Sequence, residues 1–334
     1  MNYIGSKNKL SAFIKDSILN TVKTDISTKV FCDIFAGTGI IARTFKKEVK
    51  QVISNDIEHY SYVLNKNYIE NHLALPESEK YISELNSLAL SSSGFIYNNY
   101  CLGSGSGRQY FSDANGKKID TIRSKIEQWK KQKNVSSEMY YFLLASLLES
   151  ADKVANTASV YGAFLKHLKK SAQKEMTLKP ALFEINDNTH KVHNKDSNEL
   201  IKEIKGDILY LDPPYNHREY GANYHLLNTI AKYDEFTPKG KTGLREYAKS
   251  KYCKKAQAKE AFDDLLCNAD FEYIFLSYNN EGIMQPKEIK DIMNQYGSYN
   301  LLKKEYQRFK ADKTENRNHT ATSTYEYLHI LQKK

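Results

Sequence analysis

The hydrophobic pattern at the start of the chain alternates between helical spacing and short apolar runs. Apolar side chains recur every three or four residues from about Leu10 to Val22, which predicts a helix. Residues 30–35 and 51–54 form short, largely apolar runs that are typical of buried strands, and each is followed by another segment with helical spacing. Two successive strand–helix units favour a parallel, doubly wound α/β sheet.

The pattern changes between about residues 85 and 195. Segments rich in serine and glycine at 91–94 and 103–107 predict loops, and long stretches with helical character follow them. Residues 139–148 are the most apolar of these stretches, and we expect them to form the core of this part of the chain. The sequence therefore predicts a mostly helical inserted domain at residues 85–194.

Strand–helix alternation resumes after the insertion. Residues 207–211 and 273–278 are predicted strands, and the alternating segment 323–331 is a predicted terminal strand. No internal repeat of fixed period is visible. We therefore expect residues 1–84 and 195–334 to form one α/β domain around the insertion.

A glycine turn follows the first predicted strand. Asp33 and Phe35 lead into Gly37 and Gly39, just before a predicted helix. In open α/β sheets ligands bind outside the carboxyl ends of the strands, and glycine lets the backbone approach a ligand without a Cβ clash. Neither the GxxxxGK(S/T) phosphate loop nor the complete GxGxxG dinucleotide fingerprint is present. A ligand-binding turn is one interpretation of this segment, and a tight structural turn is the other.

Asp56 follows the second predicted strand, roughly 20 residues after the glycine turn. A carboxylate at this position can accept hydrogen bonds from both hydroxyls of a ribose. Because the third glycine of the dinucleotide fingerprint is missing, a nucleoside cofactor is favoured, and S-adenosylmethionine fits that description. The alternative is that Asp56 only caps the following helix.

A rigid acidic loop follows the strand predicted at 207–211. Asp212 comes at the carboxyl end of that strand, and Pro213 and Pro214 then end it. Proline fixes its own φ, removes a donor and restricts the residue before it, so the loop presents its acceptors in a fixed arrangement.

The chemistry that this loop favours is methylation of an exocyclic aromatic amine. The Asp212 carboxylate and a backbone carbonyl such as that of Pro213 can accept both amine protons. The nitrogen then turns toward sp³ geometry and frees its lone pair for in-line attack on a sulfonium methyl group. Tyr215 offers an aromatic face on which a base flipped out of a duplex can stack.

Four short motifs occur together and in order: residues 3–7, 35–39, 55–56 and 212–215. With these motifs the chain resembles the D12-class (α-group, Dam-like) adenine-specific DNA methyltransferases. The resemblance implies an α/β fold with a Rossmann-like S-adenosylmethionine-dependent methyltransferase sheet. It also implies that the helical insertion carries target recognition, although this insertion is larger and more helical than in the Dam-like members.

The resemblance implies roles for individual residues as well. Tyr3 and Lys7 would help to hold the cofactor near its methionine end, and Asp196 would lie near its adenine. Asp212 would serve both the amino group of the cofactor and the target amine. The predicted cofactor-binding residues are Tyr3, Lys7, Asp33, Phe35, Gly37, Gly39, Asp56, Asp196 and Asp212. The predicted catalytic residues are Asp212, Pro213 and Tyr215.

The charge of the chain indicates a polyanionic partner. The formal net charge is +9 at pH 7 and the isoelectric point about 9.0. Lys and Arg side chains near phosphates release counterions, so this balance suits double-stranded DNA. The side chains that we expect to contact DNA lie in three loop regions and are Arg108, Tyr110, His217, Arg218, Arg308 and Lys310. Ordinary loop structure is the alternative for each of them.

The cysteine pattern and the absence of long apolar runs bound the location of the protein. Its four cysteines form no CxxC pair and have no histidine at ligand spacing, so we expect a reducing compartment and no metal site. No apolar run approaches the roughly 18 residues of a membrane span, and the start shows no signal-peptide pattern. We expect a cytoplasmic bacterial protein associated with DNA and not with a membrane, as a monomer or weak dimer.

The leading hypothesis is a site-specific DNA adenine-N6 methyltransferase that modifies a flipped-out adenine, as the modification enzyme of a restriction–modification system. A cognate restriction endonuclease acting on the same site is a candidate partner. Enzymes that act on N4 of cytosine or on protein glutamine more often carry Ser or Asn in place of Asp212, which argues against both. RNA as the substrate stays open, because the chemistry is shared. A catalytically inactive DNA-binding protein is the other alternative, although no motif residue is missing.

Overall fold

The computed structural model of the chain describes residues 7–307 and 323–334. Its strands are β1 Val30–Asp33, β2 Gln51–Asn55, β3 Lys191–His193, β4 Lys205–Leu211, β5 Asp270–Asn279, β6 Gly297–Gln307 and β7 Ser323–Lys333. Its α-helices are α1 Ser11–Val22, α2 Ile40–Phe45, α3 His59–Asn65, α4 Ser78–Ser87, α5 Phe95–Tyr100, α6 Asp113–Lys131, α7 Ser137–Val154, α8 Lys170–Gln173, α9 Ser197–Leu200, α10 Tyr220–Asn223, α11 His225–Lys232, α12 Lys255–Asn268 and α13 Pro286–Met293.

These strands form one sheet in the order β3-β2-β1-β4-β5-β7-β6. Strands β1 to β5 pair in parallel, and β7 runs antiparallel between β5 and β6. The chain order reverses between β1 and β4, since β2 and β3 extend the sheet on one side and β5 extends it on the other. This is a topological switch point, where open α/β sheets bind ligands beyond the carboxyl ends of the strands. The predicted α/β fold is confirmed, and its sheet is parallel through β1 to β5 but antiparallel where β7 pairs with β5 and β6.

The central strands are apolar because both faces of the sheet are covered. Phe31 of β1 and Ile208 and Leu209 of β4 are completely buried. Parallel strands covered on both faces read as near-continuous apolar runs, which is why the sequence pattern located them.

Strands β3 and β6 carry a weaker pattern, and the sequence did not predict them. In β3, which has three residues, Val192 is the buried one. Strand β6 lies at an edge of the sheet and exposes Lys303, Lys304 and Glu305. Charged side chains on an edge strand oppose pairing with another chain, but they also hide the strand from a search for apolar runs.

Two compact units divide the described residues. The helical unit comprises Glu58–Ile185 and Tyr220–Ala248, and the sheet unit comprises 7–57, Asn186–Glu219, 249–307 and 323–334. The helical unit therefore begins earlier than the predicted insertion at 85–194 and takes in a second segment beyond residues 212–215, the predicted catalytic loop. The reason is packing, because Val63 of α3 and Leu226 and Leu227 of α11 belong to the same buried cluster as α6 and α7.

Helices α6 and α7 supply much of the core of the helical unit. Each begins after a serine, Ser112 or Ser136, whose hydroxyl accepts a hydrogen bond from the backbone N–H three residues later. Such N-caps stabilise a helix by about 1 kcal/mol. Among the completely buried side chains are Ile119, Ile122, Ile126, Leu143, Leu144, Leu147 and Leu148. In the ranges that the structure describes, no helix, α7 included, is long and apolar enough to cross a membrane.

Candidate active site

Two aspartates come together where β1 and β4 end. Asp33 is the last residue of β1 and pairs in register with Tyr210 of β4. Asp212 follows directly after the end of β4 at Leu211. The fold therefore places two of the predicted site residues at the topological switch point.

The glycine turn connects β1 to α2. Gly37 and Gly39 have φ angles of 53° and 74°, in the left-handed region that favours glycine because a Cβ is strained there. Asp56, which follows β2, accepts a hydrogen bond from the Gly37 N–H at 2.8 Å. Phe35 packs edge-on against Tyr252, with ring centroids 5.1 Å apart. The ribose-binding candidate thus lies against the turn.

A neighbouring loop is tied to the end of β2. The Asn55 side chain donates to the carbonyl oxygens of Ile34 and Lys195 and accepts a hydrogen bond from the Lys195 N–H. Asp196 is exposed and caps α9, where its Oδ1 accepts from the Asn198 N–H at 2.9 Å. This carboxylate therefore lies beyond the end of β3, at the carboxyl edge of the sheet.

The ammonium group of Lys7 lies between two carboxylates. Its Nζ is 2.9 Å from Asp212 Oδ1 and 3.0 Å from Glu326 Oε1. The exposed fractions of Lys7, Asp212 and Glu326 are 7%, 18% and 2%. Lys7 therefore binds the aspartate of the catalytic loop directly, a contact that the sequence did not predict.

Burial and neighbouring charges set the protonation of this cluster. Burial raises the pKa of Asp212 to about 6, with Lys7 opposing the rise and Glu326 adding to it. Burial alone would lower the pKa of Lys7, but Asp212 and Glu326 hold it well above its ordinary value. Burial, Asp212 and Asp56 raise the pKa of Asp33 well above its usual range. Near neutral pH an ionised Lys7–Asp212 pair therefore lies beside a carboxyl group that resists ionisation.

One oxygen of Asp33 is buried without a partner. The residue is 2% exposed, and no donor in the described part of the chain is bonded to its Oδ1. An unsatisfied buried polar atom costs roughly 1–3 kcal/mol. A cationic or hydrogen-bond-donating group of a ligand would satisfy this atom.

The catalytic loop is held in place on both sides of its prolines. Pro213 is buried, and the Tyr215 carbonyl accepts a hydrogen bond from the Ile283 N–H at 2.9 Å. The Tyr215 ring packs edge-on against Tyr278 at 6.2 Å between centroids, and the Lys7 ammonium lies 5.8 Å from its centre. The half-buried Tyr215 thus keeps a fixed position beside Asp212.

His217 and Arg218 follow the catalytic loop and are exposed. The His217 Nδ1 lies 2.9 Å from the carbonyl oxygen of Cys253, and the Arg218 N–H donates to the Asn216 side chain. Both side chains are therefore available to solvent next to Tyr215, as a DNA contact requires.

The prediction that Tyr110 contacts DNA is wrong. Its side chain is completely buried, and its hydroxyl donates to the Tyr161 carbonyl at 2.7 Å. Arg108, two residues earlier, is half-buried and donates to the carbonyl oxygens of Asn99, Gly240 and Lys241. The guanidinium group of Arg108 is thus occupied by backbone carbonyls in this structure.

Three predicted site residues lie outside the described residues. They are Tyr3, Arg308 and Lys310.

The site also contains a residue that sequence reasoning missed. Glu326 lies on the same face of β7 as the buried Leu328 and Ile330. A lone carboxylate on the inward face of a predicted strand was the available signal, because buried carboxylates are rare unless they are paired.

Comparisons with known proteins identify the family of the chain. A family model described as D12 class N6 adenine-specific DNA methyltransferase matches residues 3–292. The chain belongs to this family. The type II methyltransferase M.NlaIII of Neisseria lactamica is 62% identical over 100% of this chain and 99% of its own length. M.CviAII of Paramecium bursaria Chlorella virus 1 is 39% identical over 93% of both chains. A solved putative RNA methyltransferase from Pyrococcus horikoshii covers 95% of this chain and is itself covered to 78%, with a TM-score of 0.31 and 11% identity.

As a D12-class N6 adenine-specific DNA methyltransferase, the protein is an enzyme that transfers a methyl group to adenine in DNA. The sequence-based prediction of this activity is confirmed. Methylation of N4 of cytosine or of protein glutamine, the alternatives that Asp212 argued against, is not the activity of this family.

Proposed function

We propose that the enzyme transfers the methyl group of S-adenosylmethionine to N6 of an adenine flipped out of duplex DNA. The observation that carries this proposal is the position of Asp212. It follows β4 at the topological switch point, on an edge of the sheet that it shares with Asp33 and the glycine turn. Groups suited to a methyl donor and to a target amine thus stand on neighbouring strand ends.

The residues at this edge fit S-adenosylmethionine, which supplies a methyl group on a cationic sulfonium. Asp33 suits the cationic amino group of the cofactor, because its Oδ1 has no hydrogen-bond partner among the described residues. Asp56 suits the ribose hydroxyls, and Asp196 suits the amine of the adenine ring. Gly37 and Gly39 keep the backbone free of side chains beside it.

Asp212 and Pro213 offer the acceptors for the target amine. Asp212 Oδ1 is paired with Lys7. Within residues 7–307 and 323–334, neither Asp212 Oδ2 nor the Pro213 carbonyl oxygen receives a hydrogen bond. Two such acceptors can hold the two amine protons and free the nitrogen lone pair for attack on the methyl carbon. The proton of the methylated amine is acidic and leaves to water, so no general base is required.

Tyr215 supports base flipping as the route to the site. An adenine stacked in a duplex cannot reach Asp212, whose side chain is 18% exposed. A flipped base can stack on an aromatic side chain in the pocket that receives it, and the half-buried Tyr215 ring beside Asp212 suits this role. His217 and Arg218, both exposed, are proposed to contact the neighbouring phosphates.

We assign target recognition to the helical unit and, within it, to three linked loops. The three-loop surface comprises residues 102–109, 155–169 and 239–243. Arg108 joins the first loop to the third through the carbonyls of Gly240 and Lys241. The Gln109 amide joins the first loop to the second through the carbonyls of Leu165 and Lys166.

The composition of the three-loop surface suits a polyanion. Lys166, Lys239 and Lys241 are exposed on it, and residues 154–174 contain no acidic side chain. Exposed lysines neutralise phosphates and release counterions. We propose that Arg108 stabilises this surface through its hydrogen bonds. The proposal that Arg308 and Lys310 contact DNA rests on the sequence alone.

The relatives support a role in a restriction–modification system. M.NlaIII and M.CviAII are both named type II methyltransferases. We propose that this enzyme likewise protects the site of a cognate restriction endonuclease, as a cytoplasmic monomer or weak dimer.

A substitution at Asp212 tests the proposed mechanism. We expect Asp212→Asn to lower the rate of methyl transfer from S-adenosylmethionine to duplex DNA by at least about a thousandfold, because one acceptor becomes a donor. Binding of DNA, followed by fluorescence anisotropy, should change by less than about threefold, since the loop stays folded.

Asp270→Asn is the control, because this carboxylate is exposed at the start of β5. It should behave like the wild type in both assays. Turnover by Asp212→Asn within tenfold of the control would refute the role of Asp212. Failure of both the wild type and the control to methylate DNA would instead favour RNA or another substrate.

A further inference from the structure

Glu326 is connected to the catalytic loop through Lys7. A single ammonium group bridges the two carboxylates, at 3.0 Å from Glu326 Oε1 and 2.9 Å from Asp212 Oδ1. Glu326 lies on β7, whereas Asp212 follows β4, and β5 separates these strands in the sheet. The contact therefore ties the catalytic loop to a strand with which β4 does not pair.

Stability alone does not explain a carboxylate at this position. Glu326 is 2% exposed, and Lys7 already has Asp212 as a partner. One cation between two carboxylates leaves a net negative charge in the interior, and the desolvation of buried ions often exceeds the gain from their pairing. An apolar side chain like those of its buried neighbours Leu328 and Ile330 would avoid that cost. Unusual buried charges of this kind are typical of functional sites.

We propose that Glu326 is a positioning residue for methyl transfer, which holds the Lys7 ammonium on Asp212 Oδ1 so that Asp212 Oδ2 stays available to the target amine. Without this anchor, the Lys7 ammonium can move toward Oδ2 and occupy the acceptor that the amine needs. Glu326 acts through Lys7 and not on the reacting atoms. This inference rests on the proposed role of Asp212 as an amine acceptor and deepens it.

The negative charge of Glu326 also acts on both of its partners. It raises the pKa of Asp212, as a like charge does, and it raises the pKa of Lys7, as an opposite charge does. Replacing Glu326 by a neutral side chain should therefore lower both pKa values. Tyr210 and Tyr215 also act on Lys7. Next to the cluster, Asp56 acts on Asp33, Asp33 acts on Tyr210, and Arg218 acts on Tyr215.

The pH profile of the single-turnover rate distinguishes this role from a structural one. With Glu326→Gln we expect the rate at pH 8 to fall roughly tenfold, because Asp212 is misplaced and is a weaker acceptor. The acidic limb of the profile should move to lower pH by about half to one unit, since the pKa of Asp212 falls. Glu326→Asp keeps the charge one methylene further from Lys7, and should shift the limb in the same direction by less.

Glu272→Gln is the matched control, because Glu272 is exposed on β5 and makes no contact with Lys7 or Asp212 in the described residues. It should keep the single-turnover rate of the wild type and the position of the acidic limb of its pH profile. If Glu326 had a purely structural role, Glu326→Gln would lower the thermal midpoint of unfolding and leave the acidic limb in place. That result would overturn the inference. If Glu326→Gln does not fold, an unshifted limb in Glu326→Asp overturns it equally.

Carbon-13 NMR of the Asp212 carboxyl group in the free protein separates the inference from the proposed function. A lowered Asp212 pKa in Glu326→Gln together with a shifted rate profile supports both. A lowered pKa with an unshifted rate profile contradicts Asp212 as the amine acceptor and, with it, the role of Glu326 in methyl transfer. An unchanged pKa contradicts the action of Glu326 while the proposed function stands.

Discussion

Asp33 ends the central strand β1 and Asp212 follows the central strand β4, yet their surroundings shift the two pKa values to different extents. Lys7 keeps Asp212 ionised near neutral pH, because the pKa of this carboxyl is raised only to about 6. In the described part of the chain no cation pairs with Asp33, and burial together with the charges of Asp212 and Asp56 raises its pKa well above the usual range. We therefore propose that Asp212 accepts a hydrogen bond from an amine and that Asp33 gains its charge when a cation binds beside it.

Binding of S-adenosylmethionine should therefore release a proton from Asp33. The free protein favours the protonated carboxyl, whereas a cationic amino group beside it favours the ionised form. Calorimetry of cofactor binding, repeated in buffers with different ionisation enthalpies, should show release of up to about one proton at pH 7.

The same titration of Asp33→Asn should show little proton release. Asp25→Asn is the control, because Asp25 is exposed and precedes β1, at the opposite end of this strand from Asp33. Proton uptake by the wild type, or equal release by wild type and Asp33→Asn, would contradict this assignment.

Single residues were predicted well where the backbone dictated them and poorly where tertiary contacts decided. Gly37 and Gly39 adopt the positive φ angles that a glycine turn requires. Tyr110 looked like a surface aromatic in a loop, but its ring fills the core of the helical unit. Glu326 escaped notice because its partner, Lys7, lies more than three hundred positions away in the sequence.

At the scale of elements, the sequence located β1, β2, β4 and β5 because their apolar runs reflect a sheet covered on both faces. It located β7 by its alternating pattern. Strand β3 has three residues and β6 is a charged edge strand, so neither leaves a strong pattern. The glycine-rich loop at 103–107 was expected to adjoin DNA-binding side chains. Its neighbour Arg108 instead donates hydrogen bonds to carbonyl groups of the loop at 239–243 and of Asn99 in helix α5.

Because Arg108 is proposed to hold the loops together by hydrogen bonds, its positive charge alone should not be sufficient for normal DNA binding. Arg108→Lys keeps the charge but loses the forked donors that reach three carbonyl oxygens. We expect Arg108→Lys and Arg108→Ala to weaken DNA binding alike, by roughly tenfold, with little change in cofactor affinity. Fluorescence anisotropy with the target duplex measures this effect.

Lys166→Ala provides the comparison, because Lys166 is exposed on the three-loop surface. It should reduce the slope of the logarithm of the DNA-binding constant against the logarithm of salt concentration by about one. If Arg108→Lys bound DNA like the wild type, direct contact of the Arg108 charge with phosphate would be the better explanation.

At the scale of the whole molecule, the sequence predicted the α/β fold and the family, but not where the two units divide. Helix α3 looked like part of the sheet domain because it follows β2, yet Val63 and Leu64 are buried in the core of the helical unit. Hydrophobic spacing reveals that a helix has an apolar face, and it does not reveal which neighbour covers that face. The net charge of +9 agrees with a DNA substrate without identifying the sequence that is recognised.

We propose that S-adenosylmethionine donates a methyl group to N6 of adenine at the site formed around Asp212. The most direct test incubates the enzyme with methyl-labelled S-adenosylmethionine and duplex DNA, digests the DNA to nucleosides and identifies the labelled product. We predict label only in N6-methyl-2′-deoxyadenosine from DNA, with none from Asp212→Asn. Label in N4-methylcytosine, or in structured RNA but not in DNA, would contradict the account.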